Sequence, residues 1–172
     1  MDGINNTCQF CREEESKRYI WLTVSPILLV NGFIGNLLTL VILLSEPTRR
    51  RVSALYLVVL AAADLCSLVF GLIPIWIEVQ FGIALSDRYT VPCKVRKLLH
   101  YVSSDMSVWL ICAFTVDRTI AVMLPHRMKI ICTKRRARMT TGLILALALA
   151  KNLSVVITRT LEADPLTNRT KC

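Results

Sequence analysis

The sequence predicts an all-α membrane protein with four spanning helices, and three observations predict it. Apolar residues make up 54% of 172 positions at a mean hydropathy of +0.53, more than a soluble domain of this size buries. Four long apolar segments, at 19–44, 53–79, 92–123 and 139–158, each reach the roughly 20 residues that a helix needs to cross about 30 Å of hydrocarbon. Basic residues gather in the two short connections between the first and second and between the third and fourth. A β-barrel would alternate apolar and polar residues in shorter strands, whereas Ile27-Leu28-Leu29-Val30 and Leu57-Val58-Val59-Leu60 are unbroken apolar runs.

Taken in order, residues 1–18 read as an extracellular tail in which Glu13-Glu14-Glu15 stands beside Lys17 and Arg18. No basic start leads into an apolar core there, so no cleavable signal peptide is read and the first span, 19–44, serves as its own insertion signal. Inner loop 45–52 carries Arg49, Arg50 and Arg51, and span 53–79 follows. Outer loop 80–91 holds Asp87 and leads to the third span, 92–123. Inner loop 124–138 is again basic, with Arg127, Lys129, Lys134, Arg135, Arg136 and Arg138, before the fourth span, 139–158, and the start of a second outer loop, 159–172. Short basic loops stay in the cytosol, which puts the N-terminus outside and makes this a multi-pass protein of the plasma membrane.

That topology sorts the remaining signals by compartment. Asn5-Asn6-Thr7 and Asn168-Arg169-Thr170 are glycosylation sequons on the outer side, making Asn5 and Asn168 acceptor candidates. Asn152-Leu153-Ser154 falls inside a span, where no transferase reaches. Cys66 and Cys112 lie within spans and read as packing thiols, and Cys132 lies in the reducing inner loop. Cys8, Cys11, Cys93 and Cys172 are outside, an even number that permits two disulfides with connectivity left open. The favoured pairing is Cys93 with Cys172, tying the head of the third span to the segment after the fourth. Cys8 and Cys11 read as a structural bridge more readily than as a metal or redox pair.

The formal net charge of +9 would suggest nucleic acid in a soluble domain, but here much of it sits in two cytosolic loops that topology already explains. Attraction to anionic inner-leaflet lipid is expected as a secondary contribution, at about 1 kcal/mol per basic residue near the surface. No GxxxxGK, HExxH, GxSxG or zinc-knuckle spacing is present, and the two histidines fall on opposite membrane faces, so no enzyme is read.

Gly35-Asn36 in the first span, Leu60-Ala61-Ala62-Ala63-Asp64 in the second, Cys93 opening the third and Asp117-Arg118-Thr119 closing it resemble the rhodopsin-like (class A) G-protein-coupled receptors. Offsets of 28 residues from Asn36 to Asp64, 25 from Cys93 to Arg118 and 7 from Arg118 to Pro125 match that family's pattern. Ser107-Val108-Trp109-Leu110, Ala113-Phe114-Thr115-Val116 and Ile131-Cys132-Thr133-Lys134-Arg135-Arg136-Ala137 are most similar to neuropeptide receptors, particularly the invertebrate FMRFamide-like group. The chain corresponds to the first four of that family's seven helices, with no counterpart of the sixth helix's tryptophan-proline segment or the seventh's Asn-Pro motif. It is expected to be a fragment or truncated form of a peptide-activated receptor that does not signal alone. Two other readings stand beside this one: a short isoform that regulates full-length receptors, and a small four-span transporter or scaffold that would tolerate Arg118→Ala.

The resemblance implies roles for single residues. Asp64 would hold a sodium ion together with Ser107, the only metal or cofactor implied; the alternative is a protonated, hydrogen-bonded structural carboxyl. Asn36 would bond between helices. Arg118 would be held by Asp117 at rest and released to the heterotrimeric G protein, or else simply snorkel at the inner interface. Thr119 replaces the family's usual tyrosine. Pro125 matches the turn into the second inner loop, and His126 stands where a bulky apolar residue usually docks on the G protein. His100 occupies the position of the aspartate that amine receptors use, which removes the amine's counter-ion. Arg96, Lys97, His100 and Tyr101, with Trp76 and Glu78 across on the second span, form a cluster that could receive an acidic or C-terminal group of a peptide; otherwise Arg96 and Lys97 snorkel outward. Asp105 would pair with a basic ligand or with Lys151. That lysine sits in the fourth span, where Leu145 replaces the family's tryptophan.

Overall fold

The computed structural model describes residues 2–45, 52–82, 90–124, 128–158, 162–163 and 170–171. Helix α1 runs Asp2–Leu44, α2 Val52–Ser67, a π-helical turn Leu68–Leu72, α3 Ile73–Phe81, α4 Thr90–Met123, a short α5 Met128–Ile131 and α6 Lys134–Thr158. Glu162–Ala163 (β1) and Thr170–Lys171 (β2) pair antiparallel, Glu162 opposite Lys171 and Ala163 opposite Thr170. The architecture is all-α apart from this two-residue ladder, which falls in the segment read as outer loop.

Three helical stretches among the described residues are long and apolar enough to cross a membrane: Tyr19–Leu44, Val52–Phe81 and Cys93–Met123. The expected fourth span falls within α6, whose described part also carries Arg138, Lys151 and Asn152 and is correspondingly less apolar. The first helix begins well before the expected span. Residues 2–18, read as a tail, continue the same helix, since nothing before Pro26 breaks it.

The second stretch is bent for a reason legible in its sequence. Pro74 has no N–H to give the carbonyl of Phe70, and its ring would crowd that carbonyl in a regular helix. The preceding turn widens instead, with the Ile73 N–H bonding to the Leu68 carbonyl five residues back. α3 ends at Gly82, whose positive φ of 66° lets its N–H close on the Glu78 carbonyl at 2.9 Å. At the other membrane edge Thr133 caps α6, its Oγ1 accepting from the Arg136 N–H at 3.4 Å.

α4 is the central helix, packed against α2 on one side and α6 on the other, while α1 packs on α2 and α3. The core joins Tyr56 and Ala63 of α2, Val102, Met106 and Leu110 of α4, and Ala137 and Ala148 of α6. Ala54, Ala61 and Ala63 let α2 approach its neighbours closely, as packing in lipid requires because apolar side chains gain little by leaving it. Outward, Leu28, Ile34, Leu37, Val41, Val108 and Trp109 are all more than half exposed, the pattern of a bundle whose solvent is hydrocarbon.

Cys66 and Cys112 correct one expectation. Both are exposed free thiols rather than packing residues, because their helix faces point away from the α2–α4 seam.

Candidate functional site

The α2–α4 seam collects most of the polar side chains singled out by the sequence. Mid-seam, Ser107 Oγ donates to Asp64 Oδ1 at 2.5 Å and lies 3.1 Å from the Ser103 carbonyl. Both side chains are half-buried, so the carboxylate is held by a hydroxyl inside an apolar helix pair. One helical turn outward, Ser67 Oγ lies 3.1 Å from Ser104 Oγ and 3.3 Å from His100 Nδ1. The His100 ring occupies the notch left by Gly71, where a Cβ would collide with Nδ1, Cε1 and Cγ. Its other face meets the Tyr101 ring at 5.6 Å.

Further out, Arg96 Nη1 donates to the Phe70 carbonyl at 3.3 Å. That carbonyl is the one Pro74 deprives of its helical donor, so the arginine fills a vacancy made by the proline. Arg96 Nε and Trp76 Nε1 are buried and meet no acceptor among the described residues. Trp76 packs edge-on to Phe81 at 6.3 Å, Glu78 is exposed, and Lys97 is half-buried on α4. The fold thus sets Arg96 against the π-helical turn and His100 between that turn and Ser67 of α2, a pairing that sequence reasoning missed because it depends on helix register.

Near the C-terminal end of α4, Arg118 Nη2 lies 3.7 Å from Asp117 Oδ2 and its Cζ lies 5.3 Å from the Phe114 ring centre. Arg118 is 48% exposed whereas Asp117 is 12% exposed, so the acid is fixed in the bundle and the base reaches outward. Cys132 Sγ donates to the Asp117 carbonyl at 3.8 Å, tying the connection between α4 and α6 to the same turn. Burial pushes the Cys132 thiol up, and Asp117 pushes it the same way, so it remains a neutral donor at physiological pH. Thr119 Oγ1 bonds the Thr115 carbonyl of its own helix at 2.9 Å.

Of the two readings of Asp105, the fold makes the pair with Lys151. Nζ lies 2.8 and 3.0 Å from the two carboxylate oxygens, and Asn152 Nδ2 donates to Oδ2 at 2.6 Å. Asn36 departs from expectation. The bond described for it runs from Nδ2 to the Gly32 carbonyl at 2.9 Å, one turn back on its own helix, because a short amide reaches i−4 before it reaches a neighbouring helix. Cys93 is fully buried in the first turn of α4 and is not among the free thiols. Pro125, His126, Asn168 and Cys172 lie outside the described residues, as do the side chains of Asn5, Cys8 and Cys11.

Helices of membrane length packed around a central one, with a half-buried carboxyl group mid-seam and an Asp-Arg pair at one edge, are the architecture of a polytopic membrane protein. The family model described as 7 transmembrane receptor (rhodopsin family) matches residues 35–172, and the chain belongs to that family. The human type-1 angiotensin II receptor is 27% identical over 179 residues, covering 99% of this chain and 48% of that receptor. The bovine (Bos taurus) type-1 angiotensin II receptor matches to the same extent, 27% over 179 residues. The type-1 angiotensin II receptor B of Xenopus laevis is 26% identical over 170 residues, 94% of this chain and 45% of that receptor. The chain spans about half the length of the curated relatives it matches.

Proposed function

We propose that these residues form the first part of a plasma-membrane receptor, N-terminus outside, that is activated by a peptide and passes the signal to a cytosolic heterotrimeric G protein. The observation that carries the ligand class is two buried donors, Trp76 Nε1 on α3 and Arg96 Nε on α4, that meet no acceptor among the described residues. A buried donor without a partner costs about 1–3 kcal/mol, and a ligand carboxylate or peptide carbonyl would remove that penalty. Arg96 also supplies the positive charge that an acidic or C-terminal group requires, while the position of an amine's counter-ion is filled by His100. The neuropeptide resemblance and the relatives named for angiotensin II agree with such a ligand. A Cys93–Cys172 bridge would hold the outer mouth of this site, and Asn5 and Asn168 would carry glycans on the same side.

Inside, Arg118 is the group offered to the G protein. Its ion pair with Asp117 spans 3.7 Å at a half-exposed edge, a contact weak enough to be exchanged when a partner surface arrives. Pro125 and His126 would shape the adjoining loop. Between the two ends, Asp64 and Ser107 offer a carboxylate and a hydroxyl, the oxygen donors a hard monovalent cation takes, and so fit the sodium ion the family implies. Bound there, sodium would supply the charge that neutralises Asp64; Ser107 orients the carboxylate.

In a whole receptor carrying these residues, Arg118→Ala is expected to abolish ligand-stimulated nucleotide exchange on the G protein while peptide binding persists. Exchange at the unsubstituted level would sink the receptor reading. Trp76→Phe, which removes only the N–H, is expected to weaken binding of a peptide with a free C-terminal carboxylate by about tenfold, the effect of one charge-assisted hydrogen bond. Equal weakening for an amidated peptide and for the free acid would argue against that contact.

A further inference from the structure

We propose that Pro74 is a positioning residue for ligand recognition: by freeing the Phe70 carbonyl it fixes the Arg96 guanidinium, whose other edge then faces a ligand carboxylate. The inference rests on the peptide reading given above and adds to it the device that orients the arginine. In a regular helix the N–H of residue 74 would bond to the Phe70 carbonyl, and proline has none to give. Arg96 Nη1 crosses from α4 to that carbonyl, at 3.3 Å, in its place. Gly71 and Pro74, on either side of the contact, are both buried, so a carbonyl left unmet there would be costly.

The guanidinium brings more than that carbonyl needs. It carries five N–H donors and a permanent charge, and a single neutral donor would satisfy Phe70. No acidic side chain is paired with Arg96 among the described residues, and its buried Nε meets no acceptor among them. The Nε hydrogen and one Nη2 hydrogen leave the same edge of the planar group in parallel, spaced to match the two oxygens of a carboxylate. Nη1 lies on the other edge. With Nη1 held on backbone, the group no longer turns about its Cζ bonds and the fork keeps one direction. An unanchored arginine would give up that freedom only on binding, at a cost to affinity. The anchor thus favours a planar anion with two oxygens over a single carbonyl. Pro74 sets that preference through Arg96, without contact of its own to the ligand.

The test is nuclear magnetic resonance of the 172-residue chain in nanodiscs, with isotope-labelled arginine. Arg96→Lys identifies the Arg96 signals by removing them. Without ligand, the Nη1 and Nη2 groups of Arg96 are expected as separate, slowly exchanging signals. Pro74→Ala returns an N–H to the Phe70 carbonyl and should merge them. Lactic acid in place of Pro74, which brings neither ring nor N–H, should keep them apart, so the effect is traced to the missing donor. The probe is N-acetyl-leucine, compared with its amide. The acid should shift the Arg96 Nε–H signal and bind the unsubstituted chain about tenfold more tightly than the amide, the effect of one charge-assisted pair. Pro74→Ala should weaken the acid by about threefold to tenfold, the cost of ordering one long side chain, and leave the amide within about twofold. Arg96 signals that stay separate in Pro74→Ala, or equal losses for acid and amide in that variant, would overturn the proposal. Equal binding of acid and amide by the unsubstituted chain would instead remove the carboxylate reading of the site, and the ligand-free signals would still decide whether Pro74 fixes Arg96.

Discussion

Asp105→Ala is expected to destabilise the bundle by about 2–3 kcal/mol in a bilayer and to lower the fraction of chains in which α6 is inserted. The reason is Lys151. A lysine in the middle of a spanning helix costs roughly 2.5–3.5 kcal/mol on insertion scales, and here both carboxylate oxygens of Asp105 lie within 3.0 Å of Nζ. Removing the acid leaves the cation without its partner. The lysine side chain is 67% exposed, so it recovers part of the loss by reaching toward the interface, which is why the expected cost lies below the full insertion penalty. Lys151→Met should cost less, because a carboxyl left behind can protonate and still accept from Asn152 Nδ2. Asp105→Ala/Lys151→Met together should be close to the unsubstituted chain, giving a coupling of at least about 2–3 kcal/mol in a double-mutant cycle. Thermal unfolding in nanodiscs and glycosylation mapping of α6 measure the two effects. If the single changes simply add, the pair does not hold α6 in the membrane.

Much of this arrangement is legible in the sequence because a polar residue in an apolar helix stands out and has few places to go. Asp64, Asp105 and Lys151 are visible for that reason, and opposite charges in the third and fourth expected spans name each other as partners, while Ser107 is named only by the family resemblance. Family spacing adds Arg118 and Asp117. The rest depends on helix register and on the backbone, which apolar composition does not encode. Asn36 and Thr119 each find an acceptor one turn back on their own helix, so nothing in their identity shows whether they reach a neighbour. Cys66 and Cys112 are apolar enough for either face of a helix surrounded by lipid. Pro74 announces a freed carbonyl at Phe70, yet only the approach of α4 makes Arg96 its donor. The helix running back to Asp2 follows from the lack of a breaker before Pro26, a weaker signal than the charges that mark residues 2–18 as polar.

Gly71→Ala is expected to lower the stability of the α2–α4 pair by about 1–3 kcal/mol, the range for overfilling a packed interface. A methyl group at that position would meet the imidazole of His100 well inside contact distance. The ring must then leave the notch and give up Ser67, whose remaining partner across the seam is Ser104 at 3.1 Å. Two outcomes separate a structural histidine from one that waits for ligand. With the ring clasped onto α2, His100→Ala should reduce thermal stability and leave peptide affinity in a whole receptor within about twofold, while Gly71→Ala/His100→Ala should lose less than Gly71→Ala alone because the collision is gone. A histidine that contacts peptide directly would show the reverse, with affinity falling by tenfold or more, the scale of one lost hydrogen bond to a charged group, and stability hardly changed. The geometry favours the clasp. It also leaves the proposed ligand contacts with Trp76 and Arg96, whose buried donors meet no acceptor among the described residues.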